Sequence, residues 1–170
     1  MPPALALRSL PSGAEILLDA NVLTYALNRR SFECVELLER CTTGDVSGFT
    51  TVDVRADVCH RLMLGEAAFK GMISRPNAAS LQGKPHVVRQ LSDYWHRIVQ
   101  SCTGAIAVMP LDEYRFRRAH PLRAKYGLMT NDSLLLAAAD VFGIATLATN
   151  DRDFDAVPWI TLYRPGDVRP

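Results

Sequence analysis

The stretch IATLATNDRDFD, at positions 144–155, decides the fold class and raises the first question about function. Its apolar half, at 144–149, predicts a buried strand, and Asp151, Asp153 and Asp155 follow directly after it. Two unit charges about 4 Å apart repel each other by roughly 4 kcal/mol at an effective dielectric constant of about 20. These carboxylates therefore either point apart into water or are held together by positive charge.

Short apolar runs alternate with helical patterns along the rest of the chain. Strands are predicted at 15–19, 46–51, 105–110, 144–149 and 160–163, and helices at 20–27, 32–41, 52–69, 86–102, 111–126 and 131–142. Strands that are separated by helices require right-handed crossover connections. We therefore predict an α/β protein with a three-layer α/β/α fold and a mainly parallel central sheet of about five strands.

The length and composition predict a single domain over 1–170, with its core at about 15–165. The chain has 170 residues, of which 48% are hydrophobic, and this is enough to form a buried core. The formal net charge is only +1, so any binding of nucleic acid must come from a local basic patch. Residues 70–85 contain two glycines and two prolines and predict an irregular insertion inside the domain.

The cysteines and the N-terminal stretch bear on the cellular compartment. The four cysteines form no CxxC pair, and we interpret them as reduced and mostly buried thiols: Cys34, Cys41, Cys59 and Cys102. The N-terminal stretch has no basic n-region, and no apolar run approaches the roughly 20 residues that span a bilayer. We therefore expect a cytoplasmic protein that does not use a membrane.

Carboxylates recur where an alternating α/β chain exposes the carboxyl ends of its strands. Asp19 closes the first predicted strand, Asp151 follows the fourth, and Asp132 lies in the first turn of a helix. Asp57 lies within the helix at 52–69, beside its apolar face. Because no cluster of histidine or cysteine accompanies these oxygens, the pattern predicts a site for Mg²⁺ or Mn²⁺ rather than for zinc.

Each carboxylate also has a structural explanation. Asp132 would interact favourably with the helix macrodipole, and Asp19 would cap the helix that follows it. Asp57 would pair with Arg61 one helical turn later, and Asp53 would cap its own helix as the last residue of a capping box that begins at Thr50. The sequence alone leaves both kinds of explanation open.

Four motifs resemble those of a known family. In chain order they are LLDANVL, ADVCHRLM, YGLMTNDSLLLAA and ATNDRDFDAVPWITLYRP, and together they span about 15–165. In this order they resemble the PIN-domain ribonucleases that act as VapC-type toxins in bacterial and archaeal toxin–antitoxin pairs. The resemblance implies hydrolysis of RNA phosphodiester bonds with one or two Mg²⁺ or Mn²⁺ ions, a cognate antitoxin as partner, and a homodimer.

The resemblance also assigns roles to individual residues. It implies metal-binding and catalytic carboxylates at four positions and a further catalytic acid at a fifth: Asp19, Asp57, Asp132 and Asp151, with Asp153. Asp57 stands where the family usually has glutamate, so its reach is shorter by one methylene. Polar residues beside these acids are expected to orient the carboxylates: Asn21, Thr130, Thr149 and Asn150.

The stretch YRFRRAHPLRAKYG, at 114–127, contains five basic residues and no acid. We predict that it tracks the RNA phosphates through Arg115, Arg118, Arg123 and Lys125. A solvated helix face would have the same composition, so this alternative stays open.

Three other functions fit parts of the pattern. A receiver domain would need an adjacent acidic pair after the first strand, where this chain has only Asp19. A phosphatase related to haloacid dehalogenases would need Asp-x-Asp, where this chain has Asn21 in the third position. The main alternative is a PIN-like module that is catalytically weak or inactive and binds RNA or protein, because Asp57 replaces the usual glutamate.

Overall fold

The centre of the molecule is a six-stranded, all-parallel sheet. The computed structural model describes residues 3–102 and 105–168, apart from the side chains of 101 and 102. The strands are β1 (Leu5–Ala6), β2 (Glu15–Leu18), β3 (Ser47–Thr51), β4 (Ile106–Met109), β5 (Thr146–Ala148) and β6 (Thr161–Arg164). Their order in the sheet is β1-β6-β5-β2-β3-β4, and every neighbouring pair is parallel. The predicted α/β/α fold with a mainly parallel sheet is confirmed.

The described residues form eight α-helices around this sheet. They are α1 (Ala20–Leu27), α2 (Phe32–Thr42), α3 (Val52–Phe69), α4 (Ala78–Leu81), α5 (Pro85–Val88), α6 (Asp93–Cys102), α7 (Glu113–Tyr126) and α8 (Thr130–Phe142). Short 3₁₀ turns lie at Leu7–Ser9 and Asp153–Ala156. None of the helices in the described ranges has the length and apolar content that crossing a bilayer requires.

Two elements differ from the prediction. The sixth strand, β1, has two residues and pairs Leu5 with Tyr163 at the edge of the sheet. A strand of this length is too short to give a recognisable alternation of apolar and polar residues. The helix predicted at 86–102 is in fact two helices, α5 and α6, with a break at 89–92.

Local sequence explains where the elements begin and end. Three fully buried side chains of β2 face the core: Ile16, Leu17 and Leu18. Thr51 caps α3, because its hydroxyl accepts a hydrogen bond of 3.3 Å from the Val54 N–H. The predicted capping box from Thr50 to Asp53 is therefore wrong, since the N-cap is Thr51 and the Asp53 carboxylate pairs with Arg115. Gly127 ends α7 in the left-handed region, at φ +71°, which glycine adopts at little cost.

The strand order leaves a crevice at the carboxyl ends of β2 and β5. From β2 the chain proceeds to β3 and β4 on one side, and then crosses to β5 and β6 on the other. In open parallel sheets such a reversal of strand order leaves a crevice that binds ligands. The two strand ends are joined directly, because the Asp19 N–H donates to the Ala148 carbonyl at 3.1 Å.

Residues 70–92 fold back onto α3 instead of forming an open loop. They contain α4 and α5 and share a small second apolar cluster with α3: Leu64, Ala67, Ile73, Leu81, Val87 and Leu91. The carboxylate of Glu66, only 7% exposed, accepts hydrogen bonds from the N–H groups of Ser92 at 3.0 Å and Tyr94 at 2.8 Å. Lys70 Nζ donates to the same carboxylate at 2.6 Å. Glu66 thus caps α6 from another helix, which explains the break before α6.

Burial raises the pKa of Glu66, but the hydrogen bonds from Lys70 and from the start of α6 outweigh this effect. The net result is a pKa lowered to about 2. The thiols of Cys34 and Cys41 are buried, and burial raises the pKa of each to about 11. Cys59 is partly exposed, and the side chain of Cys102 lies outside the described residues.

Candidate active site

A pocket of about 380 Å³ opens at the carboxyl ends of the central strands. Its walls come from the start of α1, from α3, from the start of α8 and from the loop after β5: Asp19, Ala20, Asn21, Asp53, Val54, Asp57, Arg61, Met129, Thr130, Asn131, Asp132, Leu135 and Asp151. Five of these residues are aspartates. Acids that lie far apart in the chain therefore meet at the switch point of the sheet.

Asp19 is held in place by three hydrogen bonds. The Thr149 hydroxyl donates to Oδ2 at 2.6 Å, the Asn21 amide donates to the same oxygen at 2.5 Å, and the Ala20 N–H donates to Oδ1 at 2.5 Å. The carboxylate is 8% exposed. Asp19 therefore has a fixed orientation toward the pocket, and it also stands at the N-cap of α1.

The loop after β5 is tied to the same network. The Asp151 N–H donates to the Thr149 hydroxyl at 3.0 Å, and the Asn150 N–H donates to the Asn21 side-chain oxygen at 3.0 Å. Thr149 and Asn21 thus contact the acid that they were expected to orient. Asn150 contributes its main chain, and Thr130 lines the pocket wall while its carbonyl accepts from Ser133 at 2.8 Å.

Asp132, Asp151 and Asp153 form the tightest group of acids. Each offers a carboxylate oxygen that lies within 4.8 Å of the others. The Asp153 N–H donates to Asp151 Oδ1 at 2.9 Å, which fixes the two residues relative to each other. The Met129 main chain, just before α8, lowers the pKa of Asp132, but burial raises this pKa by more.

The electrostatics of the pocket favour a bound cation. Burial raises the pKa of Asp19 to about 6, and repulsion from Asp132 and Asp151 adds to the increase. Burial likewise raises the pKa of Asp132, with repulsion from Asp151 and Asp153 as the next causes. Negative charge is therefore costly here unless positive charge balances it.

The donor set fits a hard divalent cation. All the candidate ligand atoms are carboxylate oxygens, which Mg²⁺ and Mn²⁺ prefer, and the described residues form no group of histidine or cysteine around them. Three acids within 4.8 Å of one another are close enough to share one ion. The pocket therefore has the chemistry of a magnesium or manganese site.

Asp57 combines the two roles that the sequence left open, an acid of the pocket and the partner of Arg61. It lines the pocket and repels Asp132, as an active-site acid would. Its Oδ2 also accepts a hydrogen bond of 2.9 Å from Arg61 Nε in an exposed ion pair. Arg61 itself lines the pocket. Asp53, Asp57 and Arg61 follow one another at intervals of four, so they form one stripe of α3 that faces the acids.

Arg115 is not on the surface, and the prediction that it contacts RNA is wrong. Its side chain is only 1% exposed, pairs with Asp53 and donates to the Pro110 carbonyl. Arg115, Ala119 and Leu122 are the buried residues of α7, and their spacing places Arg115 on the apolar face of the helix. Asp53 lines the pocket, which its sequence position did not indicate because its partner, Arg115, lies in a distant helix.

The other predicted basic residues are at least partly accessible. Arg118 pairs with Asp140 at 2.5 Å across α7 and α8. Arg123 Nε donates to the Ser133 hydroxyl at 3.2 Å, next to Asp132, and Lys125 lies 5.1 Å from the centre of the Tyr126 ring. Arg123 therefore ties the basic helix α7 to the first turn of α8, the helix that carries Asp132.

An all-parallel sheet between helices that gathers carboxylates at its switch point defines a class of α/β proteins with an acidic site at the carboxyl ends of the strands. Within that class, the family model described as PIN domain matches residues 16–160. The chain therefore belongs to the PIN-domain family. No curated protein matches it in sequence.

Solved structures support the same fold. The chain is similar to VapBC2 from Rickettsia felis, bound to a DNA fragment from its promoter, with 16% identity and a TM-score of 0.57 over 89% of this chain and 98% of that one. It is similar to VapC20 from Mycobacterium tuberculosis, a toxin that cleaves the sarcin–ricin loop, with 12% identity and a TM-score of 0.56 over 91% and 99%. A toxin–antitoxin complex from Klebsiella pneumoniae gives 18% identity and a TM-score of 0.52 over 85% and 94%.

The raised pKa of Asp19 predicts that Asp19→Asn stabilises the metal-free protein. Because the folded state holds the proton more tightly than the unfolded chain, the stability that the carboxyl group contributes is present below its usual pKa and is lost as the pH rises through about 6. At pH 7.5 in EDTA the variant should gain about 1–2 kcal/mol, and its unfolding midpoint should rise. At pH 4 the gain should nearly vanish. Equal unfolding midpoints of variant and wild type at pH 7.5 would contradict this prediction. The control is Glu36→Gln, which removes the charge of an exposed acid on α2.

Proposed function

We propose that the chain is a Mg²⁺- or Mn²⁺-dependent endoribonuclease and the toxin of a type II toxin–antitoxin pair, acting in the cytoplasm. The observation on which this rests is the convergence of Asp19, Asp57, Asp132 and Asp151 in one pocket at the switch point of the sheet. Membership of the PIN-domain family supports a nuclease. A pocket of carboxylates repels an RNA phosphate, so it suits phosphodiester hydrolysis only when it also holds cations.

Each acid has a role in this proposal. Asp19, Asp132 and Asp151 would hold the cation, with Asp57 as a fourth ligand at the edge of the pocket. Asp153 would either complete the ligand set or orient the attacking water, because its carboxylate lies within 4.8 Å of those of Asp132 and Asp151. A bound divalent cation would acidify that water and neutralise charge on the phosphate and on the leaving oxygen. Hydrolysis would leave a 5′-phosphate and a 3′-hydroxyl.

The network around Asp19 would keep the acids aligned during the reaction. Thr149 contacts both the Asp19 carboxylate and the Asp151 N–H, so one hydroxyl couples two of the proposed ligands. Asn21 contacts Asp19 and the Asn150 N–H in the same way. Hydrogen bonds of this kind usually matter for metal sites, where their loss lowers affinity or activity by about 10- to 100-fold.

An antitoxin and a second copy of the chain are the proposed protein partners. The similar structures include VapBC2 from Rickettsia felis and a toxin–antitoxin complex from Klebsiella pneumoniae. The surface of this chain has large apolar side chains that a partner would cover, among them Phe32, Phe69 and Trp95. Co-purification with the product of a neighbouring reading frame, followed by measurement of the mass of the complex, tests this part of the proposal.

The experiment that tests the activity is a cleavage assay on single-stranded RNA. We expect cleavage of a labelled RNA with Mg²⁺ or Mn²⁺, none with EDTA, and 5′-phosphate ends on the products. Wild-type protein that binds RNA but cleaves none under any of these metals would contradict the proposal. That result would instead favour the alternative function, a PIN-like module that binds without cutting.

The basic residues of α7 that remain accessible, unlike the buried Arg115, give a further prediction. Arg123→Gln together with Lys125→Gln, in an Asp132→Asn background that prevents cleavage, should flatten the dependence of RNA affinity on salt. Each lost contact with a phosphate of single-stranded RNA should reduce the slope of log K against log salt by about 0.7. Arg75→Gln with Arg89→Gln, two exposed cations in the 70–92 segment, should leave the slope unchanged. An unchanged slope in the Arg123 and Lys125 variant would exclude this surface.

A further inference from the structure

Arg61 is the one basic side chain among the pocket-lining residues in the described part of the chain. Five aspartates line the same walls. An RNA phosphate that enters this pocket meets mostly negative charge, and the interaction is strong over the few ångströms involved. A guanidinium at this position therefore lies where a substrate anion most needs a positive contact.

Arg61 is held loosely. Its Nε donates to Asp57 Oδ2 at 2.9 Å, and 52% of its side chain is exposed. Exposed ion pairs between residues four apart on a helix contribute little to stability, so this partner is easily exchanged. Arg115, which pairs with the neighbouring Asp53, is different: it is 1% exposed and is also fixed to the Pro110 carbonyl. Of the two arginines that pair with aspartates of the α3 stripe, only Arg61 can change partner without disturbing the core.

We propose that Arg61 is a phosphate-binding residue of the active site that changes partners. It pairs with Asp57 in the metal-free protein. When Asp57 turns to a divalent cation, Arg61 is released and donates to a non-bridging oxygen of the RNA phosphate. The planar guanidinium suits this, because it offers two parallel N–H groups to a phosphate. The inference rests on the proposed ribonuclease function and names the residue that contacts its substrate.

The exchange predicts effects of opposite sign for Arg61→Gln. The variant removes a competitor for Asp57 and a positive charge, so calorimetric titration with Mn²⁺ should show an affinity about two- to fivefold higher. It also removes a charged hydrogen bond to the substrate, so kcat/KM for a short single-stranded RNA at saturating Mn²⁺ should fall by about 10- to 100-fold. Arg61→Lys should fall between wild type and Arg61→Gln in cleavage, because lysine keeps the charge but not the two-pronged contact.

A matched control is available near the amino ends of the strands, on the side of the sheet away from the pocket. Arg40 Nε pairs with Asp45 Oδ2 at 2.6 Å, just before β3 begins, whereas the acidic pocket lies beyond the carboxyl ends of the strands. Arg40→Gln removes the same charge as Arg61→Gln. Because Arg40 is far from the pocket, the effect of this charge on a bound cation is largely screened. Its Mn²⁺ affinity and its cleavage rate should stay within about twofold of those of wild type.

Three results would overturn the inference while leaving the proposed function intact. If Mn²⁺ affinity and cleavage both rise in Arg61→Gln, the arginine is only a competitor of the cation. If both fall, it only orients Asp57, and if neither changes, it is a surface pair without a role. A wild-type protein that binds Mn²⁺ and cleaves no RNA overturns the proposed function, and this inference with it.

Discussion

Replacement of Asp132 by asparagine is expected to reduce RNA cleavage by at least about 100-fold without loss of stability. Asp132 belongs to the group of three acids within 4.8 Å of one another, and its carboxylate also repels Asp19 and Asp151. The amide keeps the shape of the side chain, but it loses the charge that a cation needs. Since the repulsion in the metal-free pocket also falls, the midpoint of thermal unfolding should be at or above that of wild type.

Asp140→Asn on the same helix is the control for this experiment. Asp140 pairs with Arg118 two turns farther along α8 and does not line the pocket. The cleavage rate of Asp140→Asn should match that of wild type. Asp19→Asn should behave like Asp132→Asn. Metal-dependent cleavage at the wild-type rate in either pocket variant would show that these carboxylates do not hold the cation.

The second large effect is expected at Glu66, far from the chemistry. Glu66→Gln should destabilise the protein by about 2–3 kcal/mol, because the carboxylate accepts charged or main-chain hydrogen bonds from Lys70, Ser92 and Tyr94 in a buried place. In a chain of this length the unfolding midpoint should fall by roughly 5–10 °C. Circular dichroism at 222 nm during heating measures it.

The pH dependence of this loss gives a further check. The pKa of Glu66 is lowered to about 2, so its contribution to stability is complete above the usual pKa of about 4.5 and disappears as the pH falls toward 2. The difference between wild type and Glu66→Gln should therefore be constant from pH 8 to pH 5 and should narrow below pH 4.5. Glu113→Gln breaks an exposed pair with Arg117 at the same helical spacing and should cost less than about 0.5 kcal/mol. A loss at Glu66 as small as the loss at Glu113 would contradict the account of how α6 begins.

The position of the site was predictable because one geometric rule governs it. Parallel strands end at a common edge, so acids that follow β2 and β5 had to meet if the alternation of strands and helices was correct. Asp19 and Asp151 satisfy this rule directly, since the Asp19 N–H bonds to the last residue of β5. Asp132 and Asp57 could be assigned to the site only with the motifs of the family as well. A position inside a helix does not reveal which wall of a cleft that helix forms.

The features that the sequence did not predict correctly depend on contacts between distant segments of the chain. Arg115 stands in a run of basic residues, and only its spacing with Ala119 and Leu122 shows that it lies on the buried face. The break before α6 depends on Glu66, which is about 26 residues earlier in the chain and acts across space. The edge strand β1 forms because β6 offers it a partner, and its two residues show no pattern of their own.

Both the proposed activity and the proposed role of Arg61 require that acids from separate parts of the chain form one site for a divalent cation. Calorimetric titration of the metal-free protein with Mn²⁺ tests this most directly, because it needs neither a substrate nor a partner. We expect saturable uptake of one or two ions by wild type, and an affinity at least about 10-fold lower both in Asp132→Asn and in Asp151→Asn, which alter acids from two different elements, α8 and the loop after β5. Absence of uptake by wild type, or unchanged affinity in both variants, would contradict it.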